Sequence, residues 1–365
     1  LNKLYPMFTG VYDNDENAKH VGLTVYNMAS SVGTWIPSGL YVWDGAKWNG
    51  INVKPALVTC DPLYYEPDAT KYVDIPIAKA YNGNNTLRFL TYNLGANPNL
   101  TPKQQMGYTS GGIDDITVFG GLYQWGRKDA EHSLRCSVTD APDSFTPDLY
   151  DTADDAIADG KFVTAATDWI LTPINDLWGT GATISSGGNS TNPAKRPNDP
   201  CPSGFRIPTE HEFALIGQEG GSQSSTNGDW VTGIGTSGAT FNSDIRWVPV
   251  SEGKASTGWG PSGGDGKTCG FALYTLTEWA KYTSGEDLTL PGAPEPLMFL
   301  PAGGGRRVGG VVENAGYHGY YWNSLVDNQA ASDHMNFSGT IWDAGDGDFT
   351  NRSNGMSVRC IAEVN

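Results

Sequence analysis

Apolar and polar residues alternate along "VGLTVYNM" (21–28) and again through "SGLYVWDGAKWNG" (38–50), where Asp44-Gly45 separates two aromatic runs. Alternation with period two predicts short strands, and an Asp-Gly step between them predicts a hairpin. Fifty residues of this texture are marginal for a core of their own. Residues 1–86 therefore read as a small β module with an ordered, Pro-rich linker, completed by an upstream domain or by packing on a neighbour. From "LRFLTYNLGA" (87–96) onward, strand-like runs alternate with long polar loops. "DITVFGGLYQWGRKDAEH" (115–132) predicts a strand with Tyr123, Trp125 and Arg127 on one side, and "MSVRCIA" predicts a closing strand with Met356, Val358, Cys360 and Ala362 alternating. Period 3.6 is weaker. Thr209 and Glu212 form a T-x-x-E capping box opening a helix at about 210–217, and "FALYTLTEWAKY" (271–282) reads as a second helix.

Composition adds a class. With 47 Gly, 22 Pro, 12 Trp and 17 Tyr in 365 residues, the core must be built from a few large side chains on a loop-rich backbone. The formal net charge of −17 repels phosphate backbones and anionic lipid, which argues against nucleic-acid partners. No apolar run is long enough to span a bilayer as a helix. The chain starts at Leu1 without Met or a signal-like run, and so reads as processed or trimmed. The five cysteines, Cys60, Cys136, Cys201, Cys269 and Cys360, include no CxxC pair. That spread argues against structural zinc and favours one or two disulfides in an oxidising compartment, with at least one thiol left over.

Catalytic chemistry has little to stand on. None of the five histidines lies in a G-x-S-x-G or H-E-x-x-H pattern, and with 40 acidic residues any carboxylate pair can be picked. "WDAGDGD" (342–348) reads first as a solvated acidic loop, with Asp343, Asp346 and Asp348 as hard oxygen ligands for calcium the alternative. Residues 314–354 are dense in Asn, Tyr, Ser, Asp, His and Trp. Such side chains make adaptable contact surfaces at low entropic cost.

Several blocks together carry a resemblance. "LTYNLGA", "VFGGLYQWGR", "NDPCPSGFRIPTEHEF", "MFLPAGGGR", "GYYWNS" and "RSNGMSVRC" resemble, in order, the blocks of the Fibrobacter succinogenes major paralogous domain, over roughly 87–363. The resemblance implies an α+β, C-type-lectin-like domain over 87–365, with short helices and long loops. It implies a disulfide between Cys201 and Cys360, closing a loop of about 160 residues and contributing roughly 4 to 5 kcal/mol. A free buried pair of thiols is the alternative. Cys136 and Cys269 are a second candidate pair, which leaves Cys60 as a free thiol. The family pattern makes Trp322 a core residue. Tyr317, His318, Tyr320 and Asn323 are then expected on the exposed side, flanked by Asp333, His334, Asn336, Trp342 and Asp343.

The formylglycine-generating relatives use paired late cysteines; here only Cys360 is late, so their oxidase chemistry is not expected. Other relatives are surface lipoproteins, pilus subunits and adhesins of Gram-negative bacteria, some with a C-terminal segment varied by a retroelement. The expectation is an extracellular, non-enzymatic adhesin or receptor-binding protein for a glycan or protein ligand. Its front module would pack on a preceding pilus subunit or envelope protein. A glycan-active enzyme and a structural pilus subunit are the alternatives.

Overall fold

The structure, a computed structural model, describes residues 24–27, 39–43, 48–51, 64–108, 116–135, 142–165, 167–178, 194–217, 223–224, 244–256, 268–326, 331–338, 341–343 and 350–363. Two compact units divide the chain between Leu63 and Tyr64. The first holds a three-stranded antiparallel sheet, Thr24–Asn27, Gly39–Trp43 and Trp48–Ile51. Trp43 lies in register with Trp48, so the two strands pair as the alternation predicts, while Asp44 and Gly45 lie outside the described residues.

The larger unit mixes short helices with several small sheets, and its first element corrects the expected boundary. Residues 64–86 belong to it rather than to a linker. Tyr72–Tyr81 turns at Asn82 and Gly83, both at positive φ, into Asn84–Leu90. An Asn-Gly pair supplies that left-handed two-residue turn at low cost. Val73, Ile75 and Ile77 alternate inward onto the core, where Phe89 stacks on Phe213. The sheet continues with Ile361–Ala362 and Phe205–Arg206, so the chain's closing strand sits between early and middle segments.

A second sheet orders Lys254–Ala255, Ile245–Ser251, Gly270–Thr275 and Met298–Pro301. The first five residues of the helix expected over 271–282 are therefore strand, and only Leu276–Trp279 is helical. Both sheet faces are covered: Phe271 and Leu273 join one core cluster, Ala272 and Tyr274 another. A strand buried on both faces loses its alternation and reads as a continuous apolar run, ambiguous with helix. Burial on all sides also defeats two other expectations. Tyr123, Gln124, Trp125 and Arg127 are all buried around a strand of two residues, Tyr123–Gln124. Met356 to Ile361 is likewise buried throughout and is shared between two sheets, as Gly355–Met356 and Ile361–Ala362.

The segment 195–216 is a brace. Asp199 accepts hydrogen bonds from the backbone of Cys201 (2.9 Å) and Ile207 (2.8 Å) and from Lys195 Nζ (2.9 Å). Lys195 also donates to the carbonyls of Cys201 and Phe205, each at 2.7 Å. Thr209 and Glu212 close the capping box of helix Glu210–Ile216, and Glu212 forms a buried ion pair with Arg206. Cys201 is bonded to Cys360 with Cα atoms 5.8 Å apart, so the brace grips the closing strand. Cys269 is a free buried thiol, so the pairing with Cys136 does not form; Cys60 and Cys136 lie outside the described residues. Among the described residues no helix is long and apolar enough to cross a membrane.

Candidate functional site

One sheet collects most of the predicted ligand residues. Its order is Gln223–Ser224, Ile341–Asp343, Ala331–Ser338 and His318–Val326, with Thr350–Asn351 also paired to Ala331–Ser338. Tyr320 is in register with Asn336, Trp322 with His334 and His318 with Ser338. Asn336 is in turn opposite Asp343, and Phe337 opposite Trp342. Asp346 and Asp348, named with Asp343 as calcium ligands, lie outside the described residues. Among the described residues no group of three His, Cys, Asp or Glu is placed to hold a metal.

Residues sharing one face of neighbouring strands meet. His318 and Tyr320 have parallel rings 5.4 Å apart, Tyr320 meets His334 at 5.8 Å, and His334 stands edge-on to Trp322 at 6.1 Å. This ladder deepens along the strand. Tyr317 and His318 are half-buried, Tyr320 is 8% exposed, His334 3%, and Trp322 is closed off. Trp322 is core, as the family pattern implies.

The expected exposed side is corrected at four positions, because Tyr320, Asn323, Asp333 and His334 are buried. The strand also carries a bulge between Trp322 and Val326. Asn323 accepts from the backbone of Leu325 (2.9 Å) and donates to Asp333 (2.7 Å), clamping the bulge from inside. Its carbonyl accepts from the Trp125 indole (3.0 Å), and Ser324 donates to the Pro208 carbonyl of the brace (2.9 Å). Asn323 and Asp333 are thus engaged with each other inside the bulge, and Ser324 ties the strand to the brace.

The open end of the ladder contains two residues that the sequence reading did not single out. Arg307 lies over the Tyr320 ring at 5.1 Å, and Asn314, at φ 60°, turns its amide to the Tyr320 hydroxyl (3.4 Å). The available signal was "RRV": adjacent arginines at period two, Arg306 buried between Phe145 and Phe162, and Arg307 on the outer side. The Tyr317 ring stands edge-on to His318 at 4.3 Å. Burial, and then the Arg307 cation, push the His318 imidazole below its usual range, so it is neutral near pH 7. Its Nδ1 is buried without a hydrogen-bond partner. The end of the ladder thus combines aromatic edges with a fork of charged donors.

A second histidine is wired differently. His132 Nδ1 meets Asp129 at 3.0 Å, while its Nε2 accepts from the Gln124 backbone at 3.0 Å. Arg127 forks onto the same carboxylate at 2.7 and 3.0 Å. Burial alone would raise Asp129; His132 and Arg127 outweigh it and hold the carboxyl well below its usual range. With both imidazole nitrogens engaged, His132 has no free base position for a nucleophile, and the trio holds the turn after Trp125.

No family model matches the chain, and none of the curated proteins and none of the solved structures matches it.

Proposed function

We propose that the larger unit is a C-type-lectin-like domain of the major paralogous type, and that the protein is an extracellular adhesin or receptor-binding protein of the cell surface or pilus. The observation that carries this reading is the half-buried Tyr317–His318 edge, with the Arg307 guanidinium beside it and in no ion pair among the described residues. Aromatic faces with adjacent hydrogen-bonding groups suit recognition of a glycan or a protein surface. The buried Cys201–Cys360 disulfide supports export, since such bonds persist in oxidising compartments. The ligand is held without chemical conversion, and the first unit serves attachment to a preceding pilus or envelope subunit.

The test is a glycan-array and cell-binding comparison of the intact chain with a Tyr317→Ala, His318→Ala double variant. Tyr317 also packs against the main core and His318 stacks on Tyr320, so the near-ultraviolet circular dichroism of the variant must match that of the intact chain. Binding is expected to fall by about tenfold or more, in line with losing one central aromatic contact pair. Equal binding by both proteins would remove this edge as the recognition site.

A further inference from the structure

We infer that the Arg307–His318 edge is a subsite for the carboxylate of an acidic sugar, an inference that rests on the adhesin reading above and names its ligand class. Arg307 is the starting point. Arg88, Lys103, Arg127, Lys195, Arg206, Lys281 and Arg352 each have a carboxylate within 4 Å. Buried Arg359 is held by Asn93 and by the carbonyls of Leu90 and Phe299. Half-buried Arg307 has no ion pair among the described residues, although acids outnumber bases 40 to 23; its side chain is placed against the Tyr320 ring. Stacking on an aromatic face leaves the edges of the guanidinium free, and that planar fork matches a carboxylate through two parallel hydrogen bonds.

The neighbouring groups select the rest of the ligand. His318 stands beside the fork as a half-buried ring whose Nδ1 is enclosed, so it shapes the subsite without lending it that nitrogen. Tyr317 offers a flat ring for the C–H face of a pyranose. Asn314 holds an amide at the rim, on a residue in the left-handed region where a non-glycine backbone is strained. Val308 (48% exposed) and Val311 (54%) supply an apolar border on the hairpin that carries Arg307.

A peptide carboxylate is disfavoured by the backbone. His318–Val326 is the last strand of its sheet, yet the Gly304 amide donates to the His318 carbonyl, and Ser357 exchanges hydrogen bonds with Tyr320 and Trp322. The edge groups that would bind an extended peptide by strand addition are therefore spent. Glu313 is exposed on the same hairpin and, like the net charge of −17, opposes an anion at longer range. Such exposed charges are screened beyond about 8 Å at physiological salt, whereas the Arg307 fork would act at contact.

The experiment titrates the intact chain with methyl glucuronide, its uncharged glucuronamide and methyl glucoside, by calorimetry at physiological ionic strength. The glucuronide is expected to bind about tenfold or more tightly than either neutral analogue, and Arg307→Gln to abolish that preference. Arg307→Lys, which keeps the charge but not the fork, should retain only part of it. Retention of the Cys201–Cys360 bond and of the near-ultraviolet circular dichroism confirms that the variants are folded. Equal affinity for acid and amide overturns the inference, as does the absence of any saccharide binding. So does binding of an acetylated di-glutamate peptide in preference to the sugars. If the intact chain binds neutral glycans indifferently to Arg307, the adhesin reading stands and this inference falls. If it binds glucuronide through Arg307 but is retained on no cell or glycan surface, the subsite stands and the adhesin reading falls.

Discussion

Among the described buried carboxyls, Asp168 is one whose environment does not favour its charge. The carboxyl is buried, accepts from the Trp169 backbone at 2.7 Å, and has Arg352 no nearer than 3.8 Å. Arg352 is held elsewhere, on Asn175 (2.6 Å) and the Ile174 carbonyl (3.1 Å), with its fork over Trp125. Burial therefore dominates, and pushes Asp168 up to about 6 against the pull of Arg352 and two backbone amides. An acid whose folded pKa lies above its unfolded value near 3.9 favours the folded state below that unfolded value. The contribution is lost as pH rises through about 6. Chemical denaturation from pH 4 to 7 should show this as a decline of about 2 to 3 kcal/mol attributable to Asp168. In Asp168→Asn that part of the profile should be absent. An unchanged profile in the variant would show that the carboxyl titrates normally.

At the scale of elements, the brace and the bulged strand do separate jobs. The brace is assembled from local hydrogen bonds within 195–212 and is locked to the closing strand by one covalent bond across a sequence separation of 159. Replacing both Cys201 and Cys360 by Ala should lower the unfolding free energy by roughly 3 to 5 kcal/mol, measured by denaturant titration under oxidising conditions. A loss below about 1 kcal/mol would mean that the Asp199 and Glu212 networks hold the strand unaided. The bulged strand needs Gly319, because a Cβ there would overlap the Phe337 ring. Phe337 in turn packs edge-on to Phe271 and stacks on Tyr321, which fixes the floor beneath the ladder. The ladder is thus solid at its Trp322 end, and only its His318 end is left for recognition.

At the scale of the molecule, the boundary between Leu63 and Tyr64 makes a prediction that a boundary at 86 does not. Residues 64–365 produced alone should fold with the Cys201–Cys360 bond intact and melt within a few degrees of the full chain. A chain starting at residue 87 lacks the strand Tyr72–Tyr81, which pairs with Asn84–Leu90 and places Ile75 and Ile77 in the main core. It should unfold at least about 10 °C lower, since two buried isoleucines and a strand pairing carry several kcal/mol. Thermal melts of the two fragments decide the matter; equal melting temperatures would restore the later boundary. The adhesin reading also lives at this scale, because it needs the large unit to present one edge while the brace keeps it rigid.

Local physics was legible in the sequence wherever an element depends on neighbours in the chain. The pairing of Gly39–Trp43 with Trp48–Ile51 and the Thr209–Glu212 capping box follow from short-range alternation and capping. The Cys201–Cys360 bond came through a resemblance of motifs, not through spacing. Burial on both faces was decided only by tertiary structure. Stacked small sheets enclose Tyr123–Arg127, Gly270–Thr275 and Met356–Ile361 on every side, which erases the alternation that marks a strand. The same enclosure took Asn323, Asp333 and His334 inside and left Tyr317 and His318 at the edge. Which polar residues a fold consumes and which it leaves for a ligand depends on contacts between segments hundreds of residues apart. Arg307 is set apart only by the tertiary structure, which places it on the Tyr320 ring with no carboxylate of the described residues at ion-pair distance.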